Sequence, residues 1–322
     1  MSQPTILSIG AAIQDVFLSH SEEFAPVCKN PHDCFMQLEL GAKADVNNIN
    51  FSTGGGATNA AVTFARQGYH SVFMGAVGRD PAGEAVLAAL DQEGVDTGFV
   101  SYSEKHQTGY SVLLLAPNGE RTILTYRGAS THYSPRQFDL KKVHPNWLYV
   151  SSLAGNMEVL DAVFHQAREL GVKVCFNPGK GELKQPQKVK HLLEDVEVLL
   201  VNKEEAAMLV NEGSSEEMAR KLARFVPVVI ISDGTNGVLA TDGKVLVEAG
   251  LYEDIPSLDR TGAGDAFGSG FLSQWARGKS LRESIHFASA NSTSVVTKIG
   301  AKTGILHQGV ELHDMPIMER SL

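Results

Sequence analysis

The sequence predicts an α/β protein in which a doubly wound, mostly parallel sheet is flanked by helices and carries a small β-sheet lid. Between residues 71 and 232, short apolar, β-branched runs alternate with helical segments, a rhythm typical of parallel strands joined by right-handed crossovers. Two β-rich stretches interrupt this rhythm with partly alternating apolar and polar side chains, as in strands with one exposed face. We therefore predict an α/β core of residues 1–16, 53–97 and 131–322, with a lid of residues 17–52 and 98–130.

Each element is predicted from a local pattern. Apolar runs bounded by glycine or polar residues indicate strands at 5–9, 35–40, 44–51, 72–76, 98–103, 109–116, 121–126, 147–151, 172–176, 196–201 and 228–232. Apolar residues at helical spacing indicate helices at 60–68, 82–93, 266–277 and 281–298. The tripeptide Pro117-Asn118-Gly119 predicts a hairpin turn in the lid.

The composition is that of an ordinary soluble protein. Hydrophobic residues make up 43% of the 322 residues and charged residues 20%. The net charge of −9 argues against a nucleic-acid partner, which usually requires a basic surface. The sequence shows neither a signal peptide nor an uncharged apolar run of about 18 residues, which a membrane span needs. We expect a cytoplasmic protein that binds neither nucleic acid nor membrane.

Three cysteines, Cys28, Cys34 and Cys175, cannot all pair, and their number does not suggest a disulfide framework. Cys28, His32 and Cys34 lie close enough in sequence to consider a zinc site, but no second pair of ligands follows at suitable spacing. We expect reduced cysteines, and the sequence does not assign a role to these three side chains.

The segment 257–272 contains the most informative motif. Gly262, Ala263 and Gly264 lead into Asp265 at the start of a helix made largely of small residues. The unpaired N–H groups of such a turn, together with the helix dipole, can bind an anion such as a phosphoryl group. A carboxylate beside an anion site is unfavourable unless it takes a proton from a nucleophile that attacks the anion. Asp265 is therefore either a helix cap or a general base.

A second glycine-rich turn opens the first long helix. Gly54, Gly55 and Gly56 precede Asn59, and three consecutive glycines usually serve a sharp turn or the close approach of a ligand. Asn59 offers a polar ligand both a donor and an acceptor, or else bonds locally at the helix start. Asp15 follows the strand at 5–9, near the sheet edge where α/β proteins bind ligands, although this position alone favours a solvated loop acid.

Two polar segments follow later strands. Asn202 and Glu205 lie three residues apart after the strand at 196–201, where they can orient Mg²⁺ and its waters, form a capping box, or do both. The loop containing Ser232, Gly234 and Gly237 is suited to phosphate contact, and a hairpin would explain it equally well.

Together these segments resemble the ribokinase-like (PfkB-type) sugar kinase family over residues 5 to 305. Asp-Arg-Thr-Gly-Ala-Gly-Asp-Ala-Phe at 259–267 is similar to the C-terminal signature of the family, and the glycine-rich segment 54–68 is similar to the N-terminal one. Supporting matches lie at 75–83, 94–97 and 118–122, and at Asn202 with Glu205. Each match alone is weak, but their order and spacing are specific.

The resemblance implies ATP-dependent phosphorylation of a hydroxyl group, with Mg²⁺ as cofactor. It implies that Asp265 is the general base, beside an anion hole of Gly262, Ala263 and Gly264. The further implied residues are Asp15, Gly55, Gly56 and Asn59 for the substrate, Asn202, Ser232, Gly234, Gly237 and Asn291 for the nucleotide, Glu205 with Asn202 for Mg²⁺, and Asp259, Thr261 and Gly300 for a monovalent cation, K⁺.

Departures from ribokinase concern the substrate. Gly56, Ile13 and Ala154 stand where polar groups are expected, and Gly304 replaces a hydroxyl residue near the cation region. A missing partner for a buried hydroxyl weakens discrimination, so ribose is not favoured over a fructose-like sugar or a nucleoside. A non-catalytic sensor is a further alternative, and a nicotinamide-dependent dehydrogenase would need a glycine fingerprint after the first strand. The resemblance also implies a homodimer formed through the lid.

Overall fold

The computed structural model describes residues 3–30, 33–117, 120–252, 255 and 258–322. Strands and helices are numbered separately in chain order. The strands are β1 (Thr5–Ile9), β2 (Ile13–Ser19), β3 (Val27–Asn30), β4 (Asp33–Phe35), β5 (Asn48–Gly54), β6 (His70–Met74), β7 (Ala76–Gly78), β8 (Ser101–Ser103), β9 (Gly109–Leu115), β10 (Arg121–Tyr126), β11 (Trp147–Ser151), β12 (Lys173–Asn177), β13 (Val198–Asn202), β14 (Val228–Ser232), β15 (Val238–Thr241), β16 (Val245–Ala249) and β17 (Ile317–Ser321).

The helices surround this sheet framework. They are α1 (Gly56–Arg66), α2 (Pro81–Gln92), α3 (Met157–Leu170), α4 (Lys180–Leu183), α5 (Pro186–Leu192), α6 (Lys203–Val210), α7 (Ser215–Leu222), α8 (Ala263–Trp275) and α9 (Leu281–Val296). Among the described residues, every helix is too short or too polar to cross a lipid bilayer.

The central sheet has nine strands in the order β17-β16-β15-β14-β13-β12-β11-β1-β6. The strands from β6 to β14 in this order run parallel, whereas β14 to β17 pair antiparallel. The parallel part agrees with the predicted alternation of strands and helices. The antiparallel edge was not predicted. Strands β15 and β16 follow β14 without an intervening helix, and β17 returns to the sheet only after α8 and α9.

Both faces of the central sheet are buried. Along β11, Leu148 and Val150 pack into an apolar cluster that includes Phe164 of α3, whereas Tyr149 packs on the opposite face with Phe64 of α1 and Phe271 of α8. A strand covered on both sides needs apolar residues at successive positions. This requirement explains why the parallel strands stand out as continuous apolar runs in the sequence.

The lid sheet consists of four strands in the order β10-β9-β2-β5. Its strand β2 begins at Ile13, so the predicted lid boundary at residue 17 and the loop position of Asp15 are wrong. Asp15 lies inside β2, opposite Ser52 of β5 and Ser111 of β9. The alternation of this strand is obscured because the adjacent residues Val16 and Phe17 are both buried.

Three other predicted strands differ from the observed ones. The strand at 35–40 is absent beyond Phe35, the strand at 44–51 is replaced by β5, and the strand at 98–103 shortens to β8, which pairs with β7 rather than with the lid sheet. Most residues between 36 and 47 are exposed, so this segment lacks the buried face that would stabilise a strand. Strands β9 and β10 form the predicted hairpin pair, but residues 118 and 119 of its turn lie outside the described residues.

The expectation of reduced cysteines is wrong for Cys28 and Cys34, which form a disulfide. Strands β3 and β4 pair antiparallel and place the two residues directly opposite each other, with their Cα atoms 4.0 Å apart. Cys175 is a buried free thiol. His32 lies outside the described residues, and the described part of the chain contains no His, Cys, Asp and Glu cluster suited to a metal ion.

The segment from Lys302 to Leu306 is anchored between α1 and α9. The Arg66 guanidinium donates to the carbonyl oxygens of Lys302 (3.0 Å) and Ile305 (2.6 Å), and the Leu306 N–H donates to Asn291 Oδ1 (2.8 Å). Within this segment, Gly304 packs against the end of α9 so closely that an added Cβ would lie 2.6 Å from the Val295 Cα. The glycine that departs from the family pattern therefore has a steric reason.

Gly304→Ala should destabilise the protein by about 1–3 kcal/mol, because the new methyl group must displace backbone atoms of α9. Urea unfolding followed by circular dichroism would measure the change. Gly250→Ala is the matched control, since its Cβ would meet only Pro316 atoms at 3.6 Å or beyond. Equal stability of the two variants would show that the end of α9 yields freely.

Candidate active site

Helix α8 begins at the turn formed by Gly262, Ala263 and Gly264. Gly262 adopts a left-handed φ of 79°, and its carbonyl accepts the first helical hydrogen bond, from the N–H of Ala266 at 2.8 Å. A Cβ built on Gly264 would meet no heavy atom within 4 Å, so this side of the turn is open to a ligand. The Ala263 N–H, in contrast, bonds to the Arg260 carbonyl at 3.3 Å. Gly264 is therefore the most accessible part of the predicted anion hole.

Asp265 lies in the first turn of α8 and is held by Asn59 from the first turn of α1. The Asn59 Nδ2 group donates to Asp265 Oδ2 at 2.8 Å. The other carboxylate oxygen faces Gly56, whose added Cβ would lie 3.0 Å from Asp265 Oδ1. Two predicted motifs that are 206 residues apart therefore meet at one carboxylate. A side chain at position 56 would crowd that carboxylate.

Lys302 completes this group. Its side chain is 8% exposed, and its Nζ donates to the Thr53 carbonyl (2.7 Å), Thr58 Oγ1 (3.0 Å) and Asn59 Oδ1 (2.7 Å). Asn59 therefore has a donor bond to Asp265 and an acceptor bond from Lys302. The structure places Asn59 as a bridge between two charged groups, rather than as a side chain wholly available to substrate.

Asp15 approaches the same region from the lid sheet. It is 5% exposed, its carboxylate packs against Gly54, and the Ser111 side chain donates a hydrogen bond to it. Burial raises the pKa of Asp15, and the positive charge of Lys302 opposes this effect. Asp15 from the lid and Asp265 from the core thus both interact electrostatically with Lys302.

The pKa values of the other two charged groups respond to the same burial. Burial raises the pKa of Asp265, whereas the hydrogen bond from Asn59 and the charge of Lys302 lower it. Burial lowers the pKa of Lys302, and the charges of Asp15, Asp265 and Glu93 oppose that shift. The carboxylates and the lysine thus favour one another's ionised forms, but burial is the larger effect on each group, so the pKa of both carboxyls rises and that of Lys302 falls.

The predicted nucleotide residues lie along the same carboxyl edge of the central sheet. Asn202 ends β13 and Ser232 ends β14, and the two residues are direct neighbours in the parallel register. Asn202 and Glu205 form a reciprocal capping box with two bonds of 2.9 Å. The capping interpretation is therefore confirmed, and burial raises the pKa of Glu205.

Gly234 and Gly237 lie in the short connection between β14 and β15, which pair antiparallel. The hairpin interpretation of this loop is therefore confirmed. A Cβ on Gly234 would meet no heavy atom within 4 Å, whereas one on Gly237 would collide with the Ala249 carbonyl. Gly234 thus faces open space, and Gly237 is required by the close approach of β16.

The three residues predicted for a monovalent cation also meet. Asp259 Oδ1 accepts from the Thr261 N–H (2.9 Å) and the Thr261 hydroxyl (2.6 Å), and Asp259 Oδ2 accepts from the Gly300 N–H (3.1 Å). Both carboxylate oxygens are engaged in these bonds. The Asp259 carboxylate therefore ties the turn at Thr261 to the loop at Gly300.

A family sequence model described as pfkB family carbohydrate kinase matches residues 31–308. The chain belongs to the pfkB family of carbohydrate kinases. The resemblance inferred from the glycine motifs is thereby confirmed, and the protein is a phosphotransferase of the sugar kinase type.

Curated relatives of this pfkB-family kinase include sugar kinases. The chain is 29% identical to a ribokinase of Haemophilus influenzae, with 80% of this chain and 85% of the relative covered. It is 30% identical to a fructokinase of Salmonella typhimurium, with coverages of 79% and 89%. The similarity therefore extends over most of each protein.

Solved structures confirm the predicted fold class. A ribokinase of Thermotoga maritima superposes with a TM-score of 0.77 at 20% identity, covering 95% of this chain and 97% of the other. An adenosine kinase of Sinorhizobium meliloti gives the same TM-score and identity, with coverages of 94% and 96%. An Arabidopsis thaliana ribokinase, complexed with ribose and ATP, gives 0.76 at 24% identity, with coverages of 95% and 96%.

Asn291 does not have the predicted nucleotide contact in this pfkB-family kinase. Its side chain is fully buried, its Nδ2 donates to the Ala266 carbonyl at 2.8 Å, and its Oδ1 accepts from Leu306. Both ends of the amide are used inside the protein. Asn291 fastens α8 and the segment after Lys302 to α9, so its role is to support the site from behind.

Lys302 is the site residue that the sequence motifs missed. It belongs to neither family signature, and an isolated lysine near a chain end normally indicates an exposed side chain. The neighbouring small residues Gly300, Ala301 and Gly304 are the only local signal, because they mark a tightly packed turn rather than a solvated tail.

Asn291→Ala should destabilise the protein by about 1–3 kcal/mol, because it leaves the Ala266 carbonyl and the Leu306 N–H without their partner. Thermal unfolding and calorimetric ATP titration would separate stability from nucleotide binding, which should not change. Ser284→Ala is the control on the same helix, because its buried hydroxyl makes no hydrogen bond within the described structure. A large loss of ATP affinity at unchanged stability would restore the original assignment.

Proposed function

We propose that this protein is an ATP-dependent kinase that phosphorylates a hydroxyl group of a ribose- or fructose-like sugar, with Asp265 as the general base. The observation that carries the proposal is the position of the Asp265 carboxylate. Asn59 holds it in the first turn of α8, next to the open Gly262–Gly264 turn. A base and an anion site side by side suit a reaction in which a hydroxyl attacks a phosphoryl group.

In this reaction, Asp265 accepts the proton of the sugar hydroxyl as the oxygen forms a bond to the γ-phosphorus of ATP. The bond between that phosphorus and the β,γ-bridging oxygen breaks, and ADP leaves with the bond electrons. The α8 turn, and Gly264 in particular, stabilises the negative charge on the transferred group. The proton on Asp265 returns to solvent after the sugar phosphate departs.

Asp15, Gly55 and Gly56 form the proposed sugar site, and Asn59 orients the base beside it. Asp15 supplies a carboxylate acceptor for sugar hydroxyls from the lid sheet, and the absence of a side chain at Gly56 lets the sugar approach Asp265. The lid excludes water, which would otherwise compete with the sugar for the phosphoryl group. Two carboxylates thus have different roles, one in binding and one in proton transfer.

Asn202, Ser232, Gly234 and Gly237 form the proposed nucleotide edge, where the strand ends β13 and β14 lie side by side. Glu205 and Asn202 would hold Mg²⁺, and their oxygen atoms suit this ion. Since the capping box uses part of both side chains, the ion would be held largely through water and nucleotide oxygens. When bound, Mg²⁺ neutralises phosphate charge. K⁺ would lie near Asp259, Thr261 and Gly300.

A nucleoside kinase of the same family is the alternative. Ile13 supplies an apolar surface where ribokinase is expected to have a polar one, and an adenosine kinase has the same fold. A non-catalytic sensor fits less well, because a pure binding protein has no use for a base beside an anion hole.

We also propose that the protein is a cytoplasmic homodimer, with the lid sheet as the contact between the subunits. Phe51 and Leu124 lie at the two ends of one row across this sheet and are 66% and 58% exposed, whereas Val16 between them is buried. Exposed apolar side chains of this kind suit self-association.

Asp265→Asn should lower kcat by about 10²-fold or more, because the amide cannot take the hydroxyl proton. A coupled ADP-release assay over ribose, fructose, other sugars, adenosine and cytidine would identify the best acceptor and supply the reference rate. ATP affinity, measured by calorimetry, should survive. Asp161→Asn on the exposed face of α3 is the control, and turnover of Asp265→Asn within tenfold of the unchanged protein would refute the base assignment.

Glu205→Gln should raise the Mg²⁺ concentration needed for half-maximal turnover, because the variant loses a negative charge next to the bound ion. Glu204→Gln changes the adjacent, exposed side chain and should leave the titration unaltered. Identical Mg²⁺ curves for the two variants would mean that Glu205 serves the capping box alone.

A further inference from the structure

The three hydrogen bonds of Lys302 match the donors of its amino group. A protonated lysine has three N–H donors and no acceptor, and here the Thr53 carbonyl, Thr58 Oγ1 and Asn59 Oδ1 accept one bond each. No donor remains for a sugar or a phosphate group. Lys302 therefore acts on the site only through its neighbours and its charge.

The bond to Asn59 determines which way the Asn59 amide points. An amide has an oxygen that accepts and a nitrogen that donates, and the ammonium group of Lys302 can bond only to the oxygen. With Oδ1 held by Lys302, Nδ2 is directed at Asp265 Oδ2. The reversed amide would place its oxygen against the carboxylate and its NH₂ group against the ammonium group. Lys302 thus selects the orientation that supports Asp265.

The charge of Lys302 also favours the ionised form of Asp265. Asp15 from β2 and Asp265 from α8 both interact electrostatically with the Lys302 amino group. Other titratable or charged groups that influence this cluster are Asp259, Glu93 with its partner Arg66, and Tyr149 on β11. Arg66 is committed to Glu93 and to the backbone of the 302–305 segment.

We propose that Lys302 is a positioning residue for phosphoryl transfer, which orients the Asn59 amide toward Asp265 and places its amino group beside the base. The proposal rests on the proposed kinase function. The cation beside the proposed base comes from the segment after α9. The glycine-rich turn supplies none, because Gly56 has no side chain.

The test compares Lys302→Met with Lys302→Gln, and uses Lys188→Met on the exposed face of α5 as the matched control. Methionine removes both the donors and the charge, whereas glutamine retains an N–H donor toward Asn59. Two readouts are taken for each folded variant. The first is the pH profile of kcat/KM in the ADP-release assay. The second is the carboxyl titration of ¹³C-labelled aspartates by NMR, with Asp265→Asn and Asp15→Asn used for assignment.

Without the cation, ionising Asp265 becomes harder, so its pKa rises and the acid limb of the kcat/KM profile moves to higher pH. We expect an upward shift of about one pH unit in both substitutions at Lys302. At neutral pH, kcat should fall about tenfold or more in Lys302→Met and less in Lys302→Gln. Lys188→Met should change neither readout.

Folded Lys302 variants with an unchanged acid limb and unchanged carboxyl titrations would overturn the proposal. Failure of both variants to fold would also overturn it, because Lys302 would then be a structural residue. The NMR titration does not require turnover. If the unchanged protein releases no ADP with any acceptor, the kinase proposal fails, while a shift of the Asp265 titration would still support the positioning role.

Discussion

The hydrogen bond between Asn59 and Asp265 is the contact on which the candidate site depends. It joins the first turns of α1 and α8, two helices that pack against each other on one face of the central sheet. Helix α1 continues directly from the lid strand β5, and α8 begins at the open glycine turn. A single pair of side chains therefore relates the lid, the proposed base and the proposed anion hole to one another. Any change that separates α1 from α8 would disturb all three together.

The surroundings of this contact are electrostatically unfavourable. Two carboxylates, Asp15 and Asp265, lie where an anionic nucleotide is expected to bind, and burial favours their neutral forms. The charge of the buried Lys302 partly opposes that effect, and the three donors of its amino group are all used inside the protein. The proposed anion hole, in contrast, is open at Gly264. The proposed site thus uses a cation beside the base and a helix start beside the phosphoryl group.

The sequence predicted the parts of the fold and site that depend on local patterns. Continuous apolar runs revealed β1, β11 and β14 because these strands are buried on both faces, and glycine turns revealed the starts of α1 and α8. The sequence failed where distant contacts decide the structure. Asp15 was placed in a loop because the partners of β2 lie far along the chain. The pairing of Cys28 with Cys34 is local, but the small sheet that joins them has no clear sequence signature. Lys302 was missed, and Asn291 was assigned to the nucleotide, because burial rather than residue type determines what these two side chains bind.

The order of the contacts along the chain has a consequence for protein synthesis. The bond from Lys302 to the Thr53 carbonyl spans 249 residues, and the bond from Asn59 to Asp265 spans 206. Contacts of such separation form late, because a long loop must close before they stabilise anything. During translation, the segments around Thr53 and Asn59 emerge early, whereas their partners Lys302 and Asp265 are synthesised only near the end of the chain. An incomplete chain that ends before residue 302 would therefore carry both family signatures and still lack the buried cation between its two carboxylates.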